Sequence, residues 1–143
     1  MEKGSLIRTA GVASALFAAV AVHAETPTDL LRSYEAAARQ AAAQFDGFSA
    51  ERGRAFFQSP HGADWSCASC HTENPLTEGR HANTGKTIAP LAPAANAKRF
   101  TSLPQAEKWF KRNCNDVMAR PCMPLEKGDV LAYLMQLQPP GAK

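Results

Sequence analysis

The five residues Cys67-Ala68-Ser69-Cys70-His71 constrain this chain more than any other segment. Two thiols in this spacing can reach both vinyl groups of one porphyrin as thioethers, and the adjacent imidazole then falls beneath the iron. Cys-x-x-Cys-His is therefore the attachment pattern of haem c. The competing reading is half of a zinc site, with Cys114 and Cys122 as the other half. Paired zinc cysteines have about two to four residues between them, whereas seven separate Cys114 from Cys122. The motif occurs once, so one covalent haem is expected.

The other end of the chain bears on compartment. Lys3 and Arg8 precede an apolar run from Ala13 to Val22, and Val22-His23-Ala24 reads as a small-residue cleavage site. This is the pattern of a secretory signal peptide over residues 1–24. The alternative, a retained membrane helix, needs a run of about 20 apolar residues. Residues 25–143 are then expected to be one periplasmic domain, and they hold no apolar stretch of spanning length. Removal of Glu2, Lys3 and Arg8 lowers the formal charge from +3 to +2, which two haem propionates would cancel. There is no charge run or basic face of the kind that binds nucleic acid.

Helix signals organise the expected domain. Thr28 can cap an Ala-rich helix running to about Phe45, with Asp29 in its first turn. Ser49 opens a second, through Phe57, and Gly53 inside it calls for another helix passing close by, since glycine there costs about 1 kcal/mol against alanine. From Thr72 to Arg99 the chain is irregular, with Pro75, Pro90 and Pro93. A loop of that length in a small domain is expected to wrap something, and a haem edge suffices. A third helix begins near Ser102, with Pro104 in its first turn, and continues through Asn113. The last runs from Pro124 to about Gln138, with an apolar stripe that includes Val130, Leu131, Leu134 and Met135. No strand longer than a few residues is signalled.

A haem motif between short helices, with Tyr133-Leu134 on the last, resembles a class I cytochrome c. The resemblance implies an all-α fold whose haem core spans about residues 49–138, with the helix from Thr28 as an addition. It also implies a crossing of first and last core helices at a small residue and an aromatic, roles that Gly53, Phe56 and Tyr133 fit.

His71 leaves the sixth iron position open, and function depends on what fills it. Met123-Pro124 matches the methionine of ordinary electron-transfer cytochromes, while Met118 and Met135 are weaker candidates. His61 and His81 lie in turn-rich sequence, where solvated loop histidines compete with a bis-histidine reading. Asn113 shares a helix face with Ala106, Trp109, Phe110 and Val117. An unpaired amide on such a face costs about 1–3 kcal/mol, so its carbonyl calls for a partner. Ferric iron is one partner, and backbone at the helix end is the other.

Further motifs resemble one family in particular. Thr84-Gly85-Lys86, Ile88-Ala89-Pro90-Leu91-Ala92-Pro93, Asn96, Arg99-Phe100-Thr101 and Asn113-Cys114-Asn115-Asp116 up to Cys122 look like the oxygen-binding cytochromes c of the sphaeroides haem protein group. The related cytochrome c double-prime has histidine where this chain has Asn113. The resemblance covers about Ser49 to Leu137 and implies a disulfide between Cys114 and Cys122. It also implies that Asn113 ligates ferric iron and is released on reduction, because an amide oxygen is a hard, weak ligand. The iron would then accept O2, NO or CO. Implied electron partners are a dihaem cytochrome c and a membrane cytochrome b, and oxygen or nitric oxide turnover is left open. The departure is Met123-Pro124, where a small polar cap is expected. An ordinary His/Met cytochrome using Met123 is the alternative.

Overall fold

The computed structural model describes residues 24–62 and 64–142, so the signal-peptide reading lies, except for Ala24, outside the described residues. The order is α1 (Pro27–Ala41), α2 (Ala50–Gln58), α3 (Ala68–His71), β1 (Gly79–Arg80), β2 (Thr87–Ile88), α4 (Leu103–Met118) and α5 (Pro124–Gln136).

The first helix begins at Thr26, not Thr28. Thr26 and Asp29 cap one another: Asp29 N–H donates to Thr26 Oγ1 at 3.2 Å, and Thr26 N–H donates to Asp29 Oδ2 at 2.9 Å. Pro27 follows at a position where its missing N–H is harmless. The helix also stops four residues short of Phe45, because Ala42 is extended. Phe45 turns back to meet Phe48 edge-on at 5.0 Å, with the Arg39 guanidinium over its ring. Tertiary packing there overrides a propensity that favours more helix.

Ser49 caps α2 as expected, accepting from Arg52 N–H at 3.2 Å. Gly53 is buried where α2 crosses α5, and a Cβ there would overlap the backbone carbonyl of Asp129. The crossing is thus backbone against backbone, which accounts for a glycine in mid-helix. Asp129, itself buried, locks the same junction by accepting from Ser49 N–H at 2.7 Å and Arg52 Nε–H at 2.8 Å. The aromatic at the crossing is Phe57 and not Phe56. Phe57 is fully buried, 5.7 Å from the Tyr133 ring, because it lies one full turn beyond Gly53 on the contact face. Phe56, one position round, is half-buried against His61.

Two apolar clusters meet along α5. Leu30, Tyr34, Ala106 and Leu131 join α1 to α4 and α5, while Phe57, Val130, Tyr133 and Leu134 join α2 to α5. Phe100 and Phe110 pack against both. Met135 packs against the first cluster, the core role its stripe suggested.

Helix α4 starts from Ser102, as its sequence indicates, and runs five residues past Asn113, ending in left-handed Ala119 at φ 55°. A disulfide between Cys114 and Cys122, Cα atoms 5.6 Å apart, ties that end to the start of α5. Replacing both cysteines with serine is expected to lower unfolding free energy by about 2–3 kcal/mol through the freed loop entropy. A denaturant titration of the purified, oxidised protein measures this; an unchanged midpoint would contradict it. Helix α5 ends at Gln136, slightly before Gln138, where Leu137 becomes extended.

Residues 72–99 are irregular as expected, apart from a minimal hairpin pairing Gly79 with Ile88 and Arg80 with Thr87. Gly79 permits this hairpin to lie on the haem motif, because a Cβ there would overlap the Cys70 carbonyl.

Candidate haem site

Residues 68–71 form one helical turn with Cys67 as its cap. The turn is closed by Cys70 N–H and His71 N–H donating to the Cys67 carbonyl at 3.3 and 3.1 Å. Ser66 and Ser69 brace it reciprocally: Ser66 N–H donates to Ser69 Oγ at 3.0 Å, and Ser69 N–H to Ser66 Oγ at 3.2 Å. One turn brings positions i and i+3 to the same side, so the fold places Cys67 and Cys70 together. Thr72 leaves the helical region at φ 61°, and its hydroxyl donates to Asn74 O at 2.9 Å.

Both thiols of the motif are free, in contrast to the bridged Cys114 and Cys122. Burial pushes the Cys67 thiol up to about 11, which keeps it protonated. Burial, and then the positive charge of Arg99, pulls the His71 imidazole down to about 4. His71 therefore presents a neutral ring at ordinary pH, the form that ligates metals. Its ring stands 6.3 Å from that of Phe57. Two same-side thiols, a neutral imidazole and an apolar backing fit a haem c. The zinc alternative does not fit: among the described residues no group of three His, Cys, Asp or Glu could hold a metal ion.

Asn113 sits on α4 directly before the disulfide. The buried ridge of α4 is Ala106 and Cys114, with Phe110 between them, and half-buried Asn113 and Val117 flank it. Trp109 is not on that ridge; it is 44% exposed, with the Arg112 guanidinium 5.8 Å from its ring centroid. Among the described residues the Asn113 amide makes no side-chain hydrogen bond, and it is not at the helix end. The backbone-bonded alternative for Asn113 thus finds no support. Phe110, one turn before Asn113, and Phe100 pack with Cys67 and Ala68 against the same cluster, which links α4 to the haem motif.

The other candidates are placed elsewhere. Met123 is 58% exposed and lines a cavity of about 320 Å³ with Ala38, Phe45 and Leu125, between the end of α1 and the start of α5. None of Cys67, Cys70 and His71 lines it. Met123 does stand at the cap position of α5, where Glu126 supplies the bond that a thioether lacks by accepting Met123 N–H at 2.7 Å. His61 Nε2 donates to the Phe56 carbonyl at 2.7 Å, and His81 Nδ1 accepts from Asn83 and Thr84 N–H groups. Both histidines hold loops together.

Known proteins with this arrangement can be compared directly. The family described as a domain of unknown function, DUF1924, matches residues 43–134. Cytochrome c'' of Methylophilus methylotrophus is 38% identical over 140 residues, covering 94% of this chain and 95% of its own. The cytochrome c-type protein SHP of Cereibacter sphaeroides is 44% identical over 128 residues, covering 86% and 94%. The chain belongs to this cytochrome family. Oxidised SHP, described as an oxygen-binding cytochrome c, superposes with a TM-score of 0.68 at 43% identity, over 78% of this cytochrome and 96% of SHP. The solution structure of cytochrome c'', reported for its haem-ligand detachment, gives 0.71 at 36% identity, over 81% and 97%. The fold is accordingly the all-α, class I cytochrome-like fold, and a cytochrome c of this family implies haem c.

Arg99 was legible only as part of a motif. It is separated from His71 by the whole irregular segment, so no helical or strand period could relate the two.

Proposed function

We propose that this chain is an exported, periplasmic monohaem cytochrome c in which His71 is the proximal ligand and Asn113 a weak distal ligand. Asn113 would hold the ferric state and let go on reduction. The observation carrying this reading is the half-buried Asn113 amide, without a hydrogen-bond partner among the described residues, on the helix that shares an aromatic cluster with Cys67. Cys67 and Cys70 would hold the haem as thioethers. When bound, the haem would supply one redox-active iron able to take up O2, NO or CO.

An amide oxygen suits the harder ferric ion and binds the softer ferrous ion poorly. Asn113 therefore acts as a redox-dependent plug. The disulfide one residue later restrains how far α4 can retreat, so Asn113 stays close enough to return on oxidation. Oxygen binding by SHP and ligand detachment in cytochrome c'' support the same behaviour here. Export is supported by the leader pattern in residues 1–24 and by the oxidised cysteine pair. A dihaem cytochrome c and a membrane cytochrome b are the electron partners this reading carries. No helix among the described residues is long and apolar enough to cross a membrane.

Optical spectra of the exported protein provide the test. The expected result is a low-spin ferric form without a sulfur-to-iron charge-transfer band, a high-spin ferrous form, and a large Soret change when carbon monoxide is added. A denaturing gel should show one haem-stained band, lost in the Cys67→Ala/Cys70→Ala double variant. A ferrous spectrum indifferent to carbon monoxide would overturn the gas-binding reading.

A further inference from the structure

Met123 stands where a small polar helix cap is expected, and the function derived above gives it no role. Its backbone is pinned on both sides. Cys122 before it is held by the disulfide, and Pro124 after it opens α5. Met123 N–H donates to Glu126 Oε2 at 2.7 Å, and its carbonyl accepts Lys127 N–H at 3.0 Å. The Glu126 carboxylate is fixed in turn by Arg120, whose Nη1–H donates to Oε2 at 2.9 Å and Nη2–H to Oε1 at 2.6 Å. None of these bonds uses the thioether, so the start of α5 does not depend on the sulfur.

The side chain itself is open to solvent. Met123 is 58% exposed, at the mouth of the apolar cavity it shares with Ala38, Ala41, Phe45 and Leu125. Met118 and Met135 are half-buried, Met135 against the core, and Met1 lies in the expected leader. Thioether oxidation follows access to the oxidant, so exposure sets Met123 apart from the other two. The neighbouring sulfurs of Cys114 and Cys122 are already joined as a disulfide. The Met123 thioether is thus the sulfur still oxidisable at this junction.

We propose that Met123 is a peroxide-reactive modification site, converted selectively and reversibly to the sulfoxide without loss of the fold. Its sulfur lone pair attacks one oxygen of hydrogen peroxide. The O–O bond breaks as the S–O bond forms, and the second oxygen leaves as water with both protons. Sulfur gives up two electrons and the peroxide takes them. The product places a polar, chiral oxygen at the cavity mouth, while the pinned backbone of Met123 keeps its bonds to Glu126 and Lys127. This is independent of which residue is the distal haem ligand among those that exclude Met123.

The test treats folded ferric holoprotein with hydrogen peroxide, stops the reaction with catalase, and follows each methionine by peptide mass spectrometry. Met123 is expected to oxidise about tenfold faster than Met118 and Met135, and the three rates should fall within about threefold of one another in denaturant, where exposure is equal. Methionine sulfoxide reductases should remove the added oxygen, and the Met123 sulfoxide should keep the unfolding midpoint of the untreated protein. Met123→Leu removes the site, and its Soret band should respond to peroxide as that of the unsubstituted protein does. The proposal is overturned if Met118 or Met135 oxidises as fast as Met123 in the folded protein, or if the Met123 sulfoxide unfolds at lower denaturant. It is equally overturned if peroxide alters the Soret band of the unsubstituted protein but not that of Met123→Leu, since the thioether would then lie at the iron.

Discussion

Replacing Asn113 with alanine is expected to turn the ferric haem from low-spin to a five-coordinate or water-bound high-spin form. The ferrous spectrum and its response to carbon monoxide should be unchanged. The asymmetry follows from the proposed role, because a ligand that binds only the ferric state is missed only there. An added ligand competes with the internal amide in the unsubstituted protein. If the amide occupies the iron nine-tenths of the time, its removal raises ferric affinity for imidazole about tenfold. Asn113→His should act oppositely and hold six-coordination in both oxidation states, since imidazole serves ferric and ferrous iron alike. Met123→Ala is expected to leave every spectrum as it was, because Met123 is 58% exposed beside the α1–α5 cavity. Titration of each ferric variant with imidazole, followed in the Soret band, decides the matter. A high-spin ferric form in Met123→Ala with Asn113→Ala unaltered would make methionine the ligand and end the gas-binding mechanism.

Gly53→Ala should destabilise the protein severely, against the direction that helix propensity predicts. On an exposed helical face alanine is better than glycine by about 1 kcal/mol. At Gly53 the added methyl would overlap the carbonyl of Asp129 and crowd Val130 N, and these are backbone atoms that cannot rotate away. Helices α2 and α5 would have to separate, loosening Phe57 from Tyr133 and Asp129 from Arg52. A net loss of about 3 kcal/mol or more is expected, at the upper end for overpacking. Ala55→Gly, on the exposed side of the same helix, is the control and should lose only about 1 kcal/mol. Equilibrium denaturation of holoprotein measures both. If Gly53→Ala is as stable as the unsubstituted protein, the helices do not cross this closely. Because Phe57 backs His71, the same variant is also expected to broaden the Soret band.

The motif chemistry and helix starts were legible in the sequence because they depend on neighbours along the chain. The Cys67 to His71 spacing fits one helical turn, and Ser49 and Ser102 cap the helices they precede. Gly53 announced a close approach for the same reason: a glycine in mid-helix is unfavourable unless a partner requires it. Helix ends were harder to place. Thr26 displaced Thr28 because reciprocal capping requires Asp29 three positions on, and Phe45 left the helix for a contact with Phe48. Periodicity also put Trp109 on the apolar face of α4, and its 44% exposure shows that a face has edges that spacing alone does not locate.

By itself the sequence determined the haem motif, the helical class, and Asn113 with Met123 as the competing distal candidates, all of them local patterns or direct resemblance. Only the tertiary structure decided between partners distant along the chain. It set Phe57, not Phe56, at the α2–α5 crossing and Met123 beside a cavity away from the haem motif. It also left the Asn113 amide free of side-chain hydrogen bonds among the described residues, and bonded the Arg99 guanidinium to the Pro90 and Ala89 carbonyls. The physical reason is the same in each case. Spacing fixes which residues share a turn, whereas burial, charge and van der Waals contact between elements depend on how the helices cross, and that is settled by the packing of the whole chain.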